Sequence, residues 1–195
     1  MERQTVTGKW LGMLWDDYLN TIWRDWKGKL GEKDRLDEPQ WLKQWLAEHR
    51  FPDLPYPDAR ELAELKQFRS LLLRIVRTLI NGEKIGSEDL IAFNAVLAEG
   101  LITRQLGGDA EEWKLEYVPL QSNWKQVMAD IAADFAAKMA DGEPGRLRIC
   151  DNPDCLWVYY DETRNRSKRY CDDKLCGNLM KVRRHRARKK AEEQR

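Results

Sequence analysis

Histidine is nearly absent from this chain. Only His49 and His185 occur among 195 residues, and neither stands in a Ser/His/Asp or Cys/His arrangement. Without a base placed beside a nucleophile, the usual routes to covalent catalysis are closed. Carboxylates are plentiful but scattered along amphipathic segments, where solvated faces account for them. An enzyme is therefore not expected. Long apolar runs are missing too: no stretch approaches the roughly 20 residues needed to cross a bilayer. The opening Met1-Glu2-Arg3-Gln4-Thr5 leads to no apolar run of the secretory kind. The expectation is a soluble, cytoplasmic protein with no membrane partner. Internal repeats are lacking, as are low-complexity tracts outside a basic C-terminus. Cysteine is absent from the first 149 residues.

What is present is unevenly distributed. The 34 basic and 33 acidic residues nearly cancel, yet residues 146–195 carry 15 Lys/Arg against 8 Asp/Glu. The preceding 145 residues therefore hold 19 basic and 25 acidic residues, a net of −6 against +7. An acidic body with a basic end points to a polyanion bound at that end only.

All four cysteines lie in the basic portion, as Cys150-x4-Cys155 and Cys171-x4-Cys176 with fifteen residues between. Two tight pairs separated by a hairpin-sized gap suit tetrahedral zinc, and a reducing compartment favours metal over disulfides. Four thiolates fill the coordination shell and leave no position for a reactive water, so the ion is expected to be structural. Asp151-Asn152-Pro153-Asp154 is turn chemistry for a first knuckle. Trp157–Tyr160 reads as a strand with Lys168–Tyr170 returning beside it, and Gly177 as a residue allowing close backbone approach to the metal. From Arg164 to Lys190 there are 12 basic residues and only Asp172 and Asp173 of opposite sign. Such a one-signed helix repels itself unless phosphates lie alongside.

The body reads mainly as helices. Trp10, Leu11, Leu14, Trp15, Tyr18, Ile22, Trp23 and Trp26 recur at helical spacing, predicting one helix over 10–26. Pro39 starts a second, with Trp41, Leu42, Trp45 and Leu46 inward up to His49. After the Pro52–Pro57 break, Leu62 to Leu79 form the longest helix, stopped at Gly82. Ser87 is expected to cap a helix ending at Gly100. Residues 101–106 and 113–118 read as a β-hairpin, and Ser122 as the cap of a last helix closed by Gly142. Gly142-Glu143-Pro144-Gly145 is a punctuated linker, giving expected domains of 1–142 and 146–195. The tryptophans, eight of nine before Gly142, are read as core. Asn20, Thr21 and Arg24, polar groups on an aromatic segment, are expected either to cap a neighbouring loop or to bind a small-molecule effector.

Cys150-Asp151-Asn152-Pro153-Asp154-Cys155-Leu156-Trp157, Asp161, Arg164–Cys171, Cys176-Gly177-Asn178 and Arg183-Arg184-His185-Arg186-Ala187-Arg188 together resemble the CGNR zinc finger. That module occurs in bacterial proteins predicted to regulate transcription and usually follows an ABATE-type domain. Tyr18-Leu19-Asn20-Thr21 and Leu115–Pro119 are similar to short motifs of that domain. The arginine that ends the family's Cys-Gly-Asn-Arg motif is Leu179 here, so its contact does not carry over. The resemblance implies one zinc ion on Cys150, Cys155, Cys171 and Cys176, with the basic helix as a DNA-binding element.

The expected fold is a mainly α domain with a small β-hairpin (α+β), followed by a treble-clef-like zinc finger with a long basic C-terminal helix. DNA is the expected partner, with a location on the nucleoid. Arg164, Arg166, Lys168, Asn178, Lys181, Arg183, Arg184, Arg186, Arg188 and Lys189 are the candidate contacts. The body is expected to sense a ligand or form a homodimer. The alternatives are RNA binding, with Trp157, Tyr159, Tyr160 and Tyr170 stacked on bases, and a zinc-shaped surface for an acidic protein partner.

Overall fold

The computed structural model describes residues 13–108 and 112–194. Its first helix, α1 (Leu14–Leu19), is far shorter than the 10–26 stripe predicts. Trp10 and Leu11 lie outside the described residues. The helix ends because Thr21 folds back, its N–H and hydroxyl both donating to the Tyr18 carbonyl. Ile22–Arg24 (β1) then pairs antiparallel with Glu32–Asp34 (β2). Asp25 organises the turn between them by accepting from the N–H groups of Lys27, Lys29 and Leu30. Those bonds, from Lys27 and Lys29 foremost, hold its carboxyl below the usual range. Trp23 and Trp26 matched helical spacing by coincidence.

A 3-10 turn at Arg35–Asp37 leads into α2 (Pro39–Glu48), with Pro39 at the first turn as expected. The longest helix, α3 (Ala59–Ile80), opens on a capping box of Asp58 and Glu61. It closes before Gly82, whose φ of 74° lies in the left-handed region. In α4 (Ser87–Ala98), the cap position falls on Gly86, and Ser87 is already the first helical residue. β3 (Ile102–Gly108) and β4 (Trp113–Pro119) form the predicted hairpin. The cap of α5 (Trp124–Asp141) is Asn123, which accepts from Gln126 N–H at 2.9 Å, and not Ser122. The amide sits one residue nearer the first turn, where its oxygen reaches the free N–H.

One core joins these pieces. Trp15, Tyr18, Leu42, Leu72, Ile75, Ile131 and Phe135 are buried together. Trp15 meets Phe135 edge-on at 5.4 Å and Tyr18 stacks on Phe68 at 5.6 Å. Buried Arg69 on α3 holds the β1–β2 unit with a two-pronged bond to Asp34 at 2.6 and 2.7 Å.

The C-terminal segment begins with a second 3-10 turn (Pro144–Arg146) and a short hairpin, β5 (Leu147–Ile149) and β6 (Val158–Tyr160). β6 pairs with β5, not with Lys168–Tyr170 as the sequence suggests. The later segment touches this hairpin through Arg169, whose carbonyl accepts from Asp151 N–H at 2.9 Å. Leu147 and Val158 belong to the body's own core. A π-turn at Asp173–Gly177 then passes directly into α6 (Asn178–Glu193). Knuckle, second knuckle and helix complete the treble-clef-like arrangement on a mainly helical body.

Candidate metal centre and nucleic-acid interface

The first knuckle is the loop of the β5–β6 hairpin. Cys150 N–H donates to the Trp157 carbonyl at 2.8 Å, and the N–H groups of Cys155 and Leu156 both donate to the Asn152 carbonyl. Leu156 takes a φ of 54° to close the turn. The second knuckle is the π-turn, where Asp172 caps Leu175 N–H at 2.7 Å. Between them, buried Asp161 gathers the N–H groups of Thr163 and Lys168 and the Thr163 hydroxyl. Burial opposes its ionisation, but these bonds prevail and hold its carboxyl below the usual range.

These turns bring all four sulfurs within 4.8 Å of one another. Cys155 and Cys171 Sγ lie 3.6 Å apart, and Cys171 and Cys176 Sγ 3.9 Å. A tetrahedron with zinc–sulfur bonds of about 2.3 Å has edges of about 3.8 Å, so the spacing fits. The thiols also contend for charge. Hydrogen bonds from Cys155 and Cys171 push Cys150 down to about 2, while donation to Cys150 pushes Cys155 up to about 12. Sulfurs this close ionise together only around a cation. The four cysteines hold one structural zinc.

The surroundings of the centre were not legible in the sequence. Asn152, fully buried, donates its amide to Cys176 Sγ at 3.3 Å and to the Trp26 carbonyl at 2.8 Å. It orients a metal ligand and ties the knuckle to the β1–β2 turn. Gly28, in that turn at φ 74°, lies so close to Asp154 that a Cβ would sit 2.7 Å from its carboxylate. Gly177 is less constrained than its place beside Cys176 suggests, since a Cβ there meets nothing nearer than 3.5 Å.

The basic candidates fall into distinct environments. Arg183 turns inward, its guanidinium meeting Asp154 at 2.5 Å and the Lys27 carbonyl at 3.0 Å. Arg166 is paired with Glu143, and the Asn178 amide donates to the Lys174 carbonyl. Lys189 lies 3.9 Å from Glu193, and Arg184 donates to the Met180 carbonyl at 3.3 Å. Lys181, Arg186 and Arg188 are exposed and, among the described residues, have no carboxylate partner. Helical spacing puts Lys181, Arg184, His185 and Arg188 on one face of α6. Lys181 also borders a cleft of about 430 Å³ lined by Arg164, Lys168, Arg169 and Asp173, with Arg169 paired to Asp151 at 2.7 Å. The cleft places α6 next to the Arg164–Arg169 segment.

Of the four aromatic residues of the RNA reading, Trp157 is half-buried against the cysteine cluster. Tyr159 and Tyr170 are buried, with the Tyr159 hydroxyl on the Lys168 carbonyl. The Tyr160 hydroxyl accepts from Glu143 N–H, and Lys138 lies over its ring at 4.0 Å. In the body, Asn20 and Thr21 are buried and partnered: Asn20 bonds the backbone of Val158, and Thr21 accepts from Arg69 at 2.7 Å. Arg24 pairs with Glu32 at 3.0 Å.

A closed four-cysteine centre carrying a basic helix on a helical body defines a zinc-finger protein. The chain belongs to the ABATE family, described as "Putative stress-induced transcription regulator", whose model matches residues 12–142. Residues 146–189 match the CGNR zinc finger. Among curated proteins, none matches the sequence. No helix among the described residues is long and apolar enough to cross a membrane.

Proposed function

We propose that this chain is a DNA-binding transcription regulator in which zinc seats α6 against the phosphate backbone. The observation that carries this reading is the exposed, one-signed face of Lys181, Arg184 and Arg188, with Lys181 bordering the cleft beside Arg164 and Lys168. Phosphate contacts fix register, and side chains on the same helix then reach base edges. Arg183 supports the helix from behind, and Arg166 reaches DNA only by leaving Glu143. Residues 1–142 and 146–195 act as two functional segments, sensing and binding, and the protein works on the nucleoid. A lone finger reads few base pairs, so the working species is a homodimer. A cleft of about 430 Å³ between α3, α4 and α5, lined by Phe68, Leu71, Val96 and Met128, gives a small effector room.

Selection of the zinc-loaded protein against a random duplex pool tests this. Enrichment of a short motif, lost on chelation and in an Arg184→Ala/Arg188→Ala variant, is the expected result. With about six phosphates engaged, affinity is expected to fall on the order of a thousandfold between roughly 50 and 200 mM salt. Binding indifferent to salt overturns the contact model.

A further inference from the structure

The β3–β4 hairpin takes no part in the site above. Its register pairs Ile102 with Pro119, Leu106 with Leu115 and Gly108 with Trp113. Alternation therefore sets Ile102, Leu106, Trp113, Leu115 and Tyr117 on one face, with Arg104 among them over the Tyr117 ring at 5.9 Å, and Thr103, Gln105, Lys114, Glu116 and Val118 on the other. The apolar face does not rest on the body: Leu106 is 69% exposed, Trp113 64% and Leu115 59%. Among the described residues the two strands form a sheet of their own, so each presents an outer edge with no neighbouring strand. A lone two-stranded hairpin is marginal in water, whereas three or more strands sharing an apolar face hold together.

The order of residues in β4 indicates what completes it. Trp113-Lys114-Leu115-Glu116-Tyr117 has the same chemistry from either end, aromatic, charged, leucine, charged, aromatic, except that the two charges are opposite in sign. Antiparallel pairing of this strand with itself, about a twofold axis at Leu115, sets Lys114 opposite Glu116 of the partner subunit. The same axis sets Trp113 opposite Tyr117 of the partner subunit. Opposite charges and paired rings are both favourable cross-strand neighbours. β3 also reads alike from both ends about Arg104, but that axis sets Arg104 against its own copy, a like-charge pair that disfavours it.

We propose that a second copy of this chain docks along the outer edge of β4, joining the two hairpins into one four-stranded antiparallel sheet. The proposal rests on the dimeric reading above and supplies its surface. Within one chain, Lys114 lies 3.1 Å from Glu112, and Gln105 donates to Glu116 at 3.1 Å. All four residues are exposed, so exchanging these contacts for intersubunit pairs costs little.

Sedimentation equilibrium of the zinc-loaded full chain tests it through charge swaps. Wild type is expected to dimerise. Lys114→Glu opposes glutamate to glutamate across the axis, and Glu116→Lys opposes lysine to lysine. Each is expected to raise the dimer Kd by about tenfold or more. Mixed in equal amounts, the two variants regain complementary pairs, and the mixed dimer is expected to return close to wild-type affinity. Circular dichroism and zinc content establish that each variant stays folded. Weakening without rescue in the mixture, or a dimer indifferent to both swaps, overturns this surface while leaving the dimeric reading standing. A monomer up to the highest soluble concentration overturns both.

Discussion

Asn20 commits both halves of its amide to Val158, donating to its carbonyl and accepting from its N–H, each at 2.8 Å. The residue that ends α1 is therefore also the one that holds β6 against the body. Asn20→Ala strands two buried backbone groups and is expected to cost roughly 2–4 kcal/mol. Urea titration would read this as a lower midpoint at unchanged m. Asp16 acts in the opposite sense. Burial, reinforced by neighbouring Asp17, pushes its carboxyl well above the usual range, and one of its oxygens has no hydrogen-bond partner among the described residues. The unfolded chain releases this proton near pH ~4, while the folded chain keeps it up to its own higher value. The folded state thus binds more protons in that window, and stability falls as pH rises through it. Asp16→Asn is expected to match wild type at pH 4 and to exceed it at pH 7 in the same titration.

Among elements, α6 depends on two kinds of arginine. Arg183 is anchored to Asp154 and the β1–β2 turn, whereas Arg184 faces outward beside Lys181. Arg183→Ala is expected to lower stability by roughly 0.5–1 kcal/mol, because its ion pair is about one-third exposed and partly screened. On the proposed DNA-binding function, it should weaken binding through poorer placement, with the salt slope unchanged. Arg184→Ala is expected to leave the melting curve alone and reduce the salt slope by about one. Titrations at several salt concentrations separate the two. Composition treats the arginines alike; only the packing of α6 on the β1–β2 turn distinguishes them. The helix caps make the same point on a smaller scale. Asn123 and not Ser122 caps α5, since the cap is chosen by which oxygen reaches a free N–H, and adjacent polar residues look equivalent in sequence.

At the scale of the molecule, the zinc segment and the body are tied at several points. Leu147 and Val158 lie in the body's core, Trp26 packs against the cysteine cluster, and Asn152 bridges the two. Chelation is therefore expected to lower the melting temperature of the whole chain, by about 10 °C or more. Calorimetry should show one transition moving, and an unchanged body transition would contradict this coupling.

What the sequence determined by itself was local. Paired cysteine spacing set the metal centre, the one-signed run set the character of α6, and apolar periodicity placed α2, α3 and α5. The β3–β4 hairpin followed from a change of period. Each of these signals depends on residues close along the chain, where helix, strand and turn geometry leave little choice. The early segment escaped because its tryptophans matched a helical period, while Thr21 and the Asp25 turn bend the chain into a hairpin. Tertiary structure alone decided the partners of Asn20, Asn152 and Arg183, which lie 138, 126 and 156 residues from the groups they bind. Such contacts form only after the core has brought distant backbone together, because a buried polar group bonds to whatever packing places within reach.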